Sequence, residues 1–333
     1  MYLVLVGHGS IGSRYKKELL SNFKMSKENI LIVEKNELII EALSSENFTC
    51  FKNIKEISNL KVPIKYGIVA NWGPDHISTA KELISLGCNR LIIEKPVATS
   101  LEEFNSLKEL CEKNKIFITI HHYWEYLNFG ERIRNLQEKF NFGNPVGIRL
   151  LGGAVDLSTN GIHDLDLCCD ILETTPSKVF SDLEIDNINP REKSFIYIGG
   201  VVSYKMNNGT FVHVSYTNSN SQTTRIEILY RHALIEVDLR GKIICYSRNK
   251  KDIESKGDQI TRHDILEKIS EIDFELIDTI PLITSNLLNG EVPKVSINRA
   301  EKSLRMLLGS IQSHKEEKRI DCYNFSCNKF KIS

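Results

Sequence analysis

The residues nearest the middle of the chain that could perform chemistry are a histidine and two carboxylates in the sequence GIHDLD, residues 161–166. If a helix begins there with Asn160 as its cap, His163 and Asp166 share one face, and Asp170 continues that face. A helix N-terminus disfavours a charged imidazole, whereas a neighbouring carboxylate favours it. These opposed influences suit a group that exchanges protons near neutral pH. We therefore predict that His163 is a general acid/base; the alternative is a surface histidine on an amphipathic helix.

A second candidate site follows the first apolar run of the chain, residues 2–6. The sequence GHGSIG comes next, and a helical pattern continues from it. In this order Gly7 permits a tight turn, Gly9 lets the main chain approach a pyrophosphate, and Gly12 lets helix and strand pack closely. The helix N-terminus supplies amide donors for the phosphates. We predict that a dinucleotide binds here; the alternative is a glycine-rich turn with no ligand. The predicted contacts are Gly7, His8, Gly9, Ser10, Ile11 and Gly12.

The next apolar run, residues 30–33, ends in Glu34. An acidic residue at this distance from the glycine sequence fits a carboxylate that binds the ribose hydroxyls of the adenosine. It favours NAD, because a 2′-phosphate would be repelled. Lys35 follows directly and could reduce that repulsion, so NADP stays open as an alternative. Glu34 could also be only a solvated strand end.

Two further apolar runs also end in polar side chains. Asn71 and Trp72 follow the first run and could line a cofactor ring. Lys95 follows the second, and Pro96 restricts it to extended geometry and permits a cis bond. Lys95 could donate a hydrogen bond to a substrate oxygen; the alternative is an exposed lysine paired with Glu94. The predicted cofactor contacts in these segments are Asn71, Trp72, His76, Glu94, Lys95 and Pro96.

The pattern of strands and helices that would position these residues predicts an α/β protein. In the first part of the chain, short apolar runs alternate with helical patterns, which indicates a doubly wound parallel sheet. One of these helices should start at Ser100, with Glu103 completing a capping box. Ligands of such sheets bind beyond the carboxyl ends of the strands, where the candidate residues lie.

The second part of the chain has the alternation typical of an antiparallel sheet with one covered face. A hairpin turn is predicted at residues 206–209. We expect the tail after His314 to be solvated. Helices are predicted over residues 125–140, 265–280 and 296–311, and strands over residues 146–151, 195–198, 201–205, 210–215, 225–229 and 233–237.

Taken together, GxGxxG at residues 7–12, the loop ending in His76, the sequence EKP at residues 94–96 and GxHxxD at residues 161–166 resemble the Gfo/Idh/MocA family of oxidoreductases. This is the glucose–fructose oxidoreductase, inositol dehydrogenase and rhizopine catabolism family, and the resemblance covers the whole chain. It implies a Rossmann domain that binds NAD or NADP, over residues 1–122. It implies a substrate-binding and oligomerisation α+β domain with an open, mainly antiparallel sheet over residues 123–333, whose helix at 296–315 could pack back on the first domain.

The resemblance also implies roles for individual residues. Lys95 resembles the lysine that orients the substrate hydroxyl and the nicotinamide, His163 resembles the acid/base, and Asp166 its neighbour on the substrate side. The chain departs from the family at Thr159, where many members have an aspartate. It also departs at residues 71–73 and 123–126, which read NWG and YWEY. The predicted substrate contacts are Lys95, Tyr123, Trp124, Thr159 and His163.

The composition of the 333 residues is that of an ordinary globular protein, with 41% apolar and 26% charged residues. The formal net charge is zero, so nothing favours nucleic acid or a membrane surface as a partner. Eight scattered cysteines form no CxxC pair, and the histidines lack metal-ligand spacing, so we expect reduced thiols, a cytoplasmic protein and no metal site. No apolar run is long enough to span a bilayer.

We therefore expect an NAD(P)-dependent dehydrogenase or reductase that acts on a CH–OH group. By resemblance, its substrate is a sugar, polyol or nucleotide sugar, and the protein is a homodimer or homotetramer formed through its second sheet. Two alternatives remain. One is an enzyme that uses bound NAD for transient redox, as an epimerase, lyase or glycosidase. The other is a cofactor-binding protein without turnover.

Overall fold

The computed structural model describes residues 2–153, 155–186, 197–217, 221–327, 329–330 and 332. The chain forms two compact units, and each is assembled from separate stretches of sequence. The first comprises Met1–Leu127, Asp278–Leu304 and Ser326–Ser333; the second comprises Asn128–Ile277 and Arg305–Phe325. The sequence predicts a first domain over residues 1–122 and a second over residues 123–333, with the helix at 296–315 able to pack back on the first. The eight cysteines are all free thiols.

The strands and helices are numbered in chain order. The strands are β1 (Tyr2–Val6), β2 (Ile30–Val33), β3 (Thr49–Phe51), β4 (Ile64–Val69), β5 (Arg90–Ile93), β6 (Phe117–Ile120), β7 (Gly147–Gly153), β8 (Pro176–Asp186), β9 (Tyr197–Met206), β10 (Phe211–Thr217), β11 (Arg225–Leu229), β12 (Ala233–Asp238), β13 (Lys242–Arg248), β14 (Leu266–Asp273) and β15 (Ile320–Asp321). The α-helices are α1 (Ser10–Ser21), α2 (Glu37–Ser45), α3 (His76–Ser85), α4 (Leu101–Asn114), α5 (Tyr123–Tyr126), α6 (Phe129–Lys139), α7 (Ile162–Ile171), α8 (Lys250–Lys256), α9 (Ile280–Asn289) and α10 (Ile297–Glu316).

The first unit contains a parallel sheet of six strands in the order β3-β2-β1-β4-β5-β6. Its central strands are the continuous apolar runs of the sequence and are buried on both faces, as the pattern predicted. The helices begin where the sequence supplies caps. The Asn36 side chain accepts from the amides of Leu38 and Ile39, and the Ser100 hydroxyl accepts from the amide of Glu103. The predicted doubly wound sheet and the predicted helix cap at Ser100 are therefore confirmed, and Glu103 Oε2 accepts from the Ser100 hydroxyl at 3.4 Å.

The second unit contains a nine-stranded sheet in the order β14-β13-β12-β11-β7-β10-β9-β8-β15. Neighbours are antiparallel except β7 and β10, which are parallel, so the predicted open, mainly antiparallel sheet is confirmed. The predicted hairpin turn joins β9 to β10, where the amide of Gly209 donates to the Met206 carbonyl at 3.0 Å. Each predicted strand overlaps a strand of this sheet; residues 195 and 196 of the predicted strand 195–198 lie outside the described residues.

The predicted helix over residues 265–280 is wrong. Leu266–Asp273 is strand β14, which pairs with β13, and the helix α9 begins only at Ile280. The apolar residues had a helical spacing, but β14 buries none of its side chains fully, and Leu266 and Ile269 stay 40% and 45% exposed. The helical spacing of these apolar residues therefore did not indicate a buried helix face. Pairing with β13 made the segment a strand.

Two other expectations need correction. The predicted helix over residues 125–140 is interrupted, because Asn128 adopts a left-handed backbone conformation, with φ 50°, between α5 and α6. The tail after His314 is not simply solvated. Ile320–Asp321 forms strand β15 beside β8, and Cys322 is fully buried. The predicted helix at 296–311 is confirmed as α10; residues up to Leu304 belong to the first unit and the rest to the second.

Two glycines of the second sheet differ in how much they constrain the fold. Gly200 and Gly209 both have positive φ, 108° and 88°, but a Cβ at Gly200 would also lie 2.4 Å from the carbonyl oxygen of Asp182. A Cβ at Gly209 would meet nothing within 4 Å. We expect Gly209→Ala to lower the free energy of unfolding by ~1 kcal/mol through backbone strain. Gly200→Ala should cost ~1–3 kcal/mol more, because the main chain must also shift. Urea denaturation measures both, and equal losses would contradict this account of Gly200.

Candidate active site

The glycine loop after β1 has the close contacts that its sequence predicts. Gly7 has φ 88°, and a Cβ at Gly12 would lie 2.0 Å from the Gly7 carbonyl oxygen. A Cβ at Gly7 would lie 2.6 Å from the carbonyl oxygen of Ala70. At Gly9, the N-cap of α1, a Cβ would meet nothing within 4 Å. The main chain therefore has open space beside Gly9, where α1 begins, and a bound pyrophosphate requires such a close approach to the helix N-terminus.

Glu34 is fixed at the carboxyl end of β2 by main-chain amides. One carboxylate oxygen accepts from the amide of His8 at 2.7 Å, and the other accepts from the amides of Lys35 and Asn36 at 2.7 and 3.0 Å. The Lys35 ammonium lies 3.3 Å from the Asp75 carboxylate. The sequence placed Glu34 and Lys35 correctly at a strand end. It could not show that the glycine loop itself holds the carboxylate.

The loops after β4 and β5 are joined by His76. Its Nδ1 lies 2.8 Å from the carbonyl oxygen of Pro96, and its Nε2 lies 3.1 Å from that of Asn71. Burial lowers the pKa of His76, although the two carbonyls oppose this effect. Because the ring is buried on main-chain atoms, His76 holds the two loops in register. Its predicted contact with a cofactor stays a prediction.

Two residues of the loop after β4 fit a bound dinucleotide. The Asn71 amide nitrogen donates to the Thr79 hydroxyl at 2.8 Å, and the buried amide oxygen of Asn71 accepts no hydrogen bond from the described residues. Trp72 is 40% exposed. A buried acceptor without a donor is costly, so a ligand that donates to Asn71 would be stabilising.

Glu94 directly precedes Lys95 at the end of β5, and its side chain is buried. The Lys95–Pro96 bond is cis. Burial raises the pKa of Glu94, but His121, Lys95 and the Tyr15 hydroxyl outweigh it and lower the pKa to about 2. The carboxylate is therefore charged at neutral pH. The sequence offered an exposed lysine paired with Glu94 as the alternative; Lys95 is half-buried and Glu94 is buried.

Asp156, and not Asn160, caps the segment that leads into α7. Its carboxylate accepts from the amides of Ser158 and Thr159 at 2.6 and 3.2 Å, and Leu157–Gly161 forms a π-helical turn. The predicted cap at Asn160 is wrong because Asn160 lies inside this wider turn, whose cap, Asp156, precedes it by four residues. Thr159 is half-buried in that turn.

His163 lies in the first turn of α7 and is half-buried, whereas Asp166 is 1% exposed. The neighbouring Asp164 is also buried and accepts from the Tyr216 hydroxyl at 2.7 Å. A Cβ at Gly161 would lie 2.9 Å from the Tyr216 ring, which explains the glycine of GxHxxD. Tyr216 could not be found from the sequence, since it is brought in from β10.

The other predicted substrate contacts lie in the first unit. Tyr123 is half-buried, and Trp124 is 4% exposed and packs against the Tyr123 ring at 5.3 Å between centroids. The first unit thus brings together residues 7–12, 34–35, 71–76 and 94–96 through the contacts described above. Thr159, His163 and Asp166 lie in the second unit.

Among the described residues, no helix has the length and apolarity needed to cross a membrane. No group of three or more His, Cys, Asp or Glu side chains in that part of the chain is arranged to hold a metal ion.

Six parallel strands in this order, with a glycine loop between the first strand and its helix, define a dinucleotide-binding Rossmann domain. Residues 1–122 match the family model GFO_IDH_MocA, described as an oxidoreductase family with an NAD-binding Rossmann fold. The first 122 residues are therefore similar to the NAD-binding domain of the Gfo/Idh/MocA oxidoreductases. The match confirms the predicted family and the predicted NAD cofactor.

Solved structures with similar folds extend over nearly the whole chain. UDP-N-acetylglucosamine 3-dehydrogenase GnnA from Acidithiobacillus ferrooxidans is 16% identical, with a TM-score of 0.71 over 95% of this chain and 98% of that one. Myo-inositol 2-dehydrogenase from Lactobacillus plantarum is 15% identical, with a TM-score of 0.70 over 96% and 99%. GenD2 from gentamicin A biosynthesis, solved with NAD, is 14% identical, with a TM-score of 0.72 over 96% of each chain. At these identities the likeness establishes a shared fold. No curated protein sequence matches the chain significantly.

The lowered pKa of Glu94 predicts a pH-dependent contribution to stability. The unfolded chain takes up a proton near the ordinary pKa of 4.5, whereas the folded protein does so only near about 2. The stabilisation is therefore fully present above pH 4.5 and is lost as the pH falls through this window. Glu94→Gln should flatten the slope of unfolding free energy against pH there, as measured by urea denaturation. Glu41→Gln, at an exposed position of α2, should keep the wild-type slope. An unchanged slope in Glu94→Gln would contradict the assignment.

Proposed function

We propose that the protein is an NAD-dependent dehydrogenase or reductase that acts on a carbinol or carbonyl carbon of a sugar, polyol or nucleotide sugar. One observation carries the proposal. The glycine loop, Glu34, Asn71 and Lys95 all follow the carboxyl ends of neighbouring parallel strands, where ligands of this fold bind. Bound NAD supplies the hydride chemistry, and the protein supplies position and proton transfer.

The substrate class is supported by the relatives of similar fold. Two of them are named for dehydrogenation of UDP-N-acetylglucosamine and of myo-inositol, a nucleotide sugar and a polyol. Both compounds carry secondary hydroxyl groups. We therefore propose a secondary carbinol of a sugar-like compound as the reacting group.

We assign the proton chemistry to Lys95 and His163, the two side chains for which the sequence pattern predicts these roles. Lys95 donates a hydrogen bond to the substrate oxygen and stabilises the negative charge that develops there during oxidation. His163 removes the hydroxyl proton, and in reduction it returns that proton. Asp166 is buried one turn after His163 in α7, and its proposed part is to favour the charged form of the imidazole.

We propose NAD rather than NADP as the preferred cofactor. The Glu34 carboxylate is held in place by three main-chain amides, so it cannot easily turn away from a 2′-phosphate. The Lys35 ammonium, the nearest candidate to neutralise that phosphate, is paired with Asp75. Charge and position therefore both favour the unphosphorylated ribose.

The expectation of a homodimer or homotetramer stays a prediction. Its support is an apolar patch on one face of the second sheet. Phe180, Val201 and Phe211 lie on that face in neighbouring strands and are 48%, 55% and 45% exposed.

The function is tested with a panel of sugars, polyols and nucleotide sugars. Thermal shift with NAD⁺, NADH, NADP⁺ and NADPH identifies the bound cofactor, because a ligand of the native state raises Tm. Absorbance of reduced nicotinamide then reports oxidation of each compound. Consumption of a substrate with no net change in absorbance would overturn the dehydrogenase and favour transient redox.

Lys95→Ala should lower kcat by about 100-fold, because one preorganised donor to the developing charge is lost. His163→Gln should lower kcat comparably, since the proton acceptor is removed. Affinity for NADH, followed by nicotinamide fluorescence, should stay near the wild-type value in both variants. Lys55→Ala, at an exposed position of the same unit, is the matched control and should leave kcat unchanged. Full turnover in Lys95→Ala would remove its catalytic role.

Glu34→Ala should shift cofactor preference toward NADP. Removing the carboxylate abolishes its bond to the ribose hydroxyls and its repulsion of a 2′-phosphate, so the ratio of kcat/KM for NAD⁺ to that for NADP⁺ should fall by ~10–100-fold. Glu34→Gln keeps an acceptor for the loop amides but no charge, and separates repulsion from loop geometry. If neither variant changes the ratio, Glu34 does not select the cofactor.

A further inference from the structure

A buried polar cluster in the first unit has no part in the chemistry assigned so far. The His121 Nδ1 lies 2.9 Å from Oε1 of Glu94, and its Nε2 lies 2.8 Å from the Thr279 hydroxyl. The Tyr15 hydroxyl donates to the same Glu94 oxygen at 2.9 Å. We call these four residues the Glu94 cluster. All four side chains are buried, and they come from α1, the ends of β5 and β6, and the N-cap of α9.

Stability alone is a weak reason for such a cluster. A buried charge loses its hydration, and a buried ion pair is often no more stabilising than well-packed apolar side chains. The cluster lies against an apolar core that includes Leu5, Ile68 and Ile92, so apolar residues could pack there. Hydrogen bonds differ from apolar packing because each bond restrains the orientation of both partner side chains.

The Glu94 cluster restrains the main chain next to Lys95. Glu94 immediately precedes Lys95, and the carbonyl of Pro96, which immediately follows, is bonded to His76. Two buried histidines therefore restrain the residues on the two sides of Lys95. Glu94 is also bonded to α1 through the Tyr15 hydroxyl, and α1 begins at the glycine loop.

We propose that His121, with Tyr15 and Thr279, is a positioning residue that fixes Glu94, and thereby holds Lys95 in register with the helix that receives the cofactor phosphates. The effect on turnover rests on the proposed hydride transfer; the restraint on the main chain does not. His121 can hold both partners at once, because one ring nitrogen bonds to Glu94 while the other bonds to the Thr279 hydroxyl.

Substitutions can separate the bonds of the cluster. His121→Leu removes both bonds of the ring, whereas His121→Asn places an amide donor near the position of Nδ1 and can keep the bond to Glu94. Tyr15→Phe removes a single hydroxyl from the same oxygen. The matched control is Tyr66→Phe, which removes a hydroxyl that donates to the Leu288 carbonyl at 3.1 Å in the same unit and the same core.

The first readout is amide hydrogen exchange of residues 94–98, measured by mass spectrometry in the presence of NADH. Loss of a hydrogen bond to a buried charge should make exchange of this segment about tenfold faster in His121→Leu and in Tyr15→Phe. His121→Asn should restore slow exchange, and Tyr66→Phe should not change it. Wild-type exchange in both His121→Leu and Tyr15→Phe would overturn the proposal, whatever the turnover.

The second readout is steady-state kinetics with the substrate found in the panel. A misplaced Lys95 weakens stabilisation of the transition state, so kcat should fall ~10–100-fold with KM for NAD⁺ within about twofold of wild type. His121→Asn should recover most of the loss. Faster exchange with unchanged kcat would reduce the cluster to a structural role and overturn its part in positioning.

The two proposals fail in different ways. If Lys95→Ala keeps full activity, the catalytic assignment fails, and the exchange measurement still decides whether the cluster restrains this segment. If Lys95→Ala is inactive and His121→Leu matches wild type in exchange and kcat, the proposed function stands and the positioning role is overturned.

Discussion

The fold of the first unit depends on a close main-chain contact between Gly7 and Gly12, which leaves no room for a side chain. Position 12 lies so near the carbonyl of Gly7 that a Cβ would come within 2.0 Å of it. Glycine at both positions lets α1 begin directly beyond β1, and the main chain has open space beside Gly9. The loop after β4 also comes close enough to exclude a side chain at Gly7. The position of the dinucleotide site therefore depends on the lack of a Cβ atom at Gly7 and Gly12.

Fixed main-chain groups then hold the charged side chains around that loop. The amide of His8 belongs to the glycine loop and binds Glu34, while His76 binds carbonyls of two loops at once. Rigid supports of this kind reduce the reorganisation that binding and catalysis would otherwise require. The second unit follows the same rule, since Gly161 admits the Tyr216 ring that binds Asp164.

Local sequence patterns predicted the features that depend on local physics. Continuous apolar runs, the glycine loop and the cap at Ser100 were all identified correctly, because neighbours along the chain determine them. The predictions were wrong where residues far apart in the sequence determine the local structure. Leu266–Asp273 has a helical spacing but pairs with β13, and Asp156 replaces Asn160 as the cap of a wider turn. The bonds of Glu94 join segments far apart in sequence, so EKP indicated a lysine at a strand end but not the buried cluster beneath it.

The core of the first unit includes Ile280, Ile283 and Leu287 of α9 beside Leu3 and Tyr15 of the first strand and helix. These two groups of residues are separated by most of the second unit in sequence. During synthesis the ribosome must therefore complete more than 150 further residues after β6 before the core that surrounds the first strand has all its members. A nascent chain that carries the whole glycine loop therefore still exposes apolar surface that α9 later covers, and such surface favours aggregation of incomplete chains.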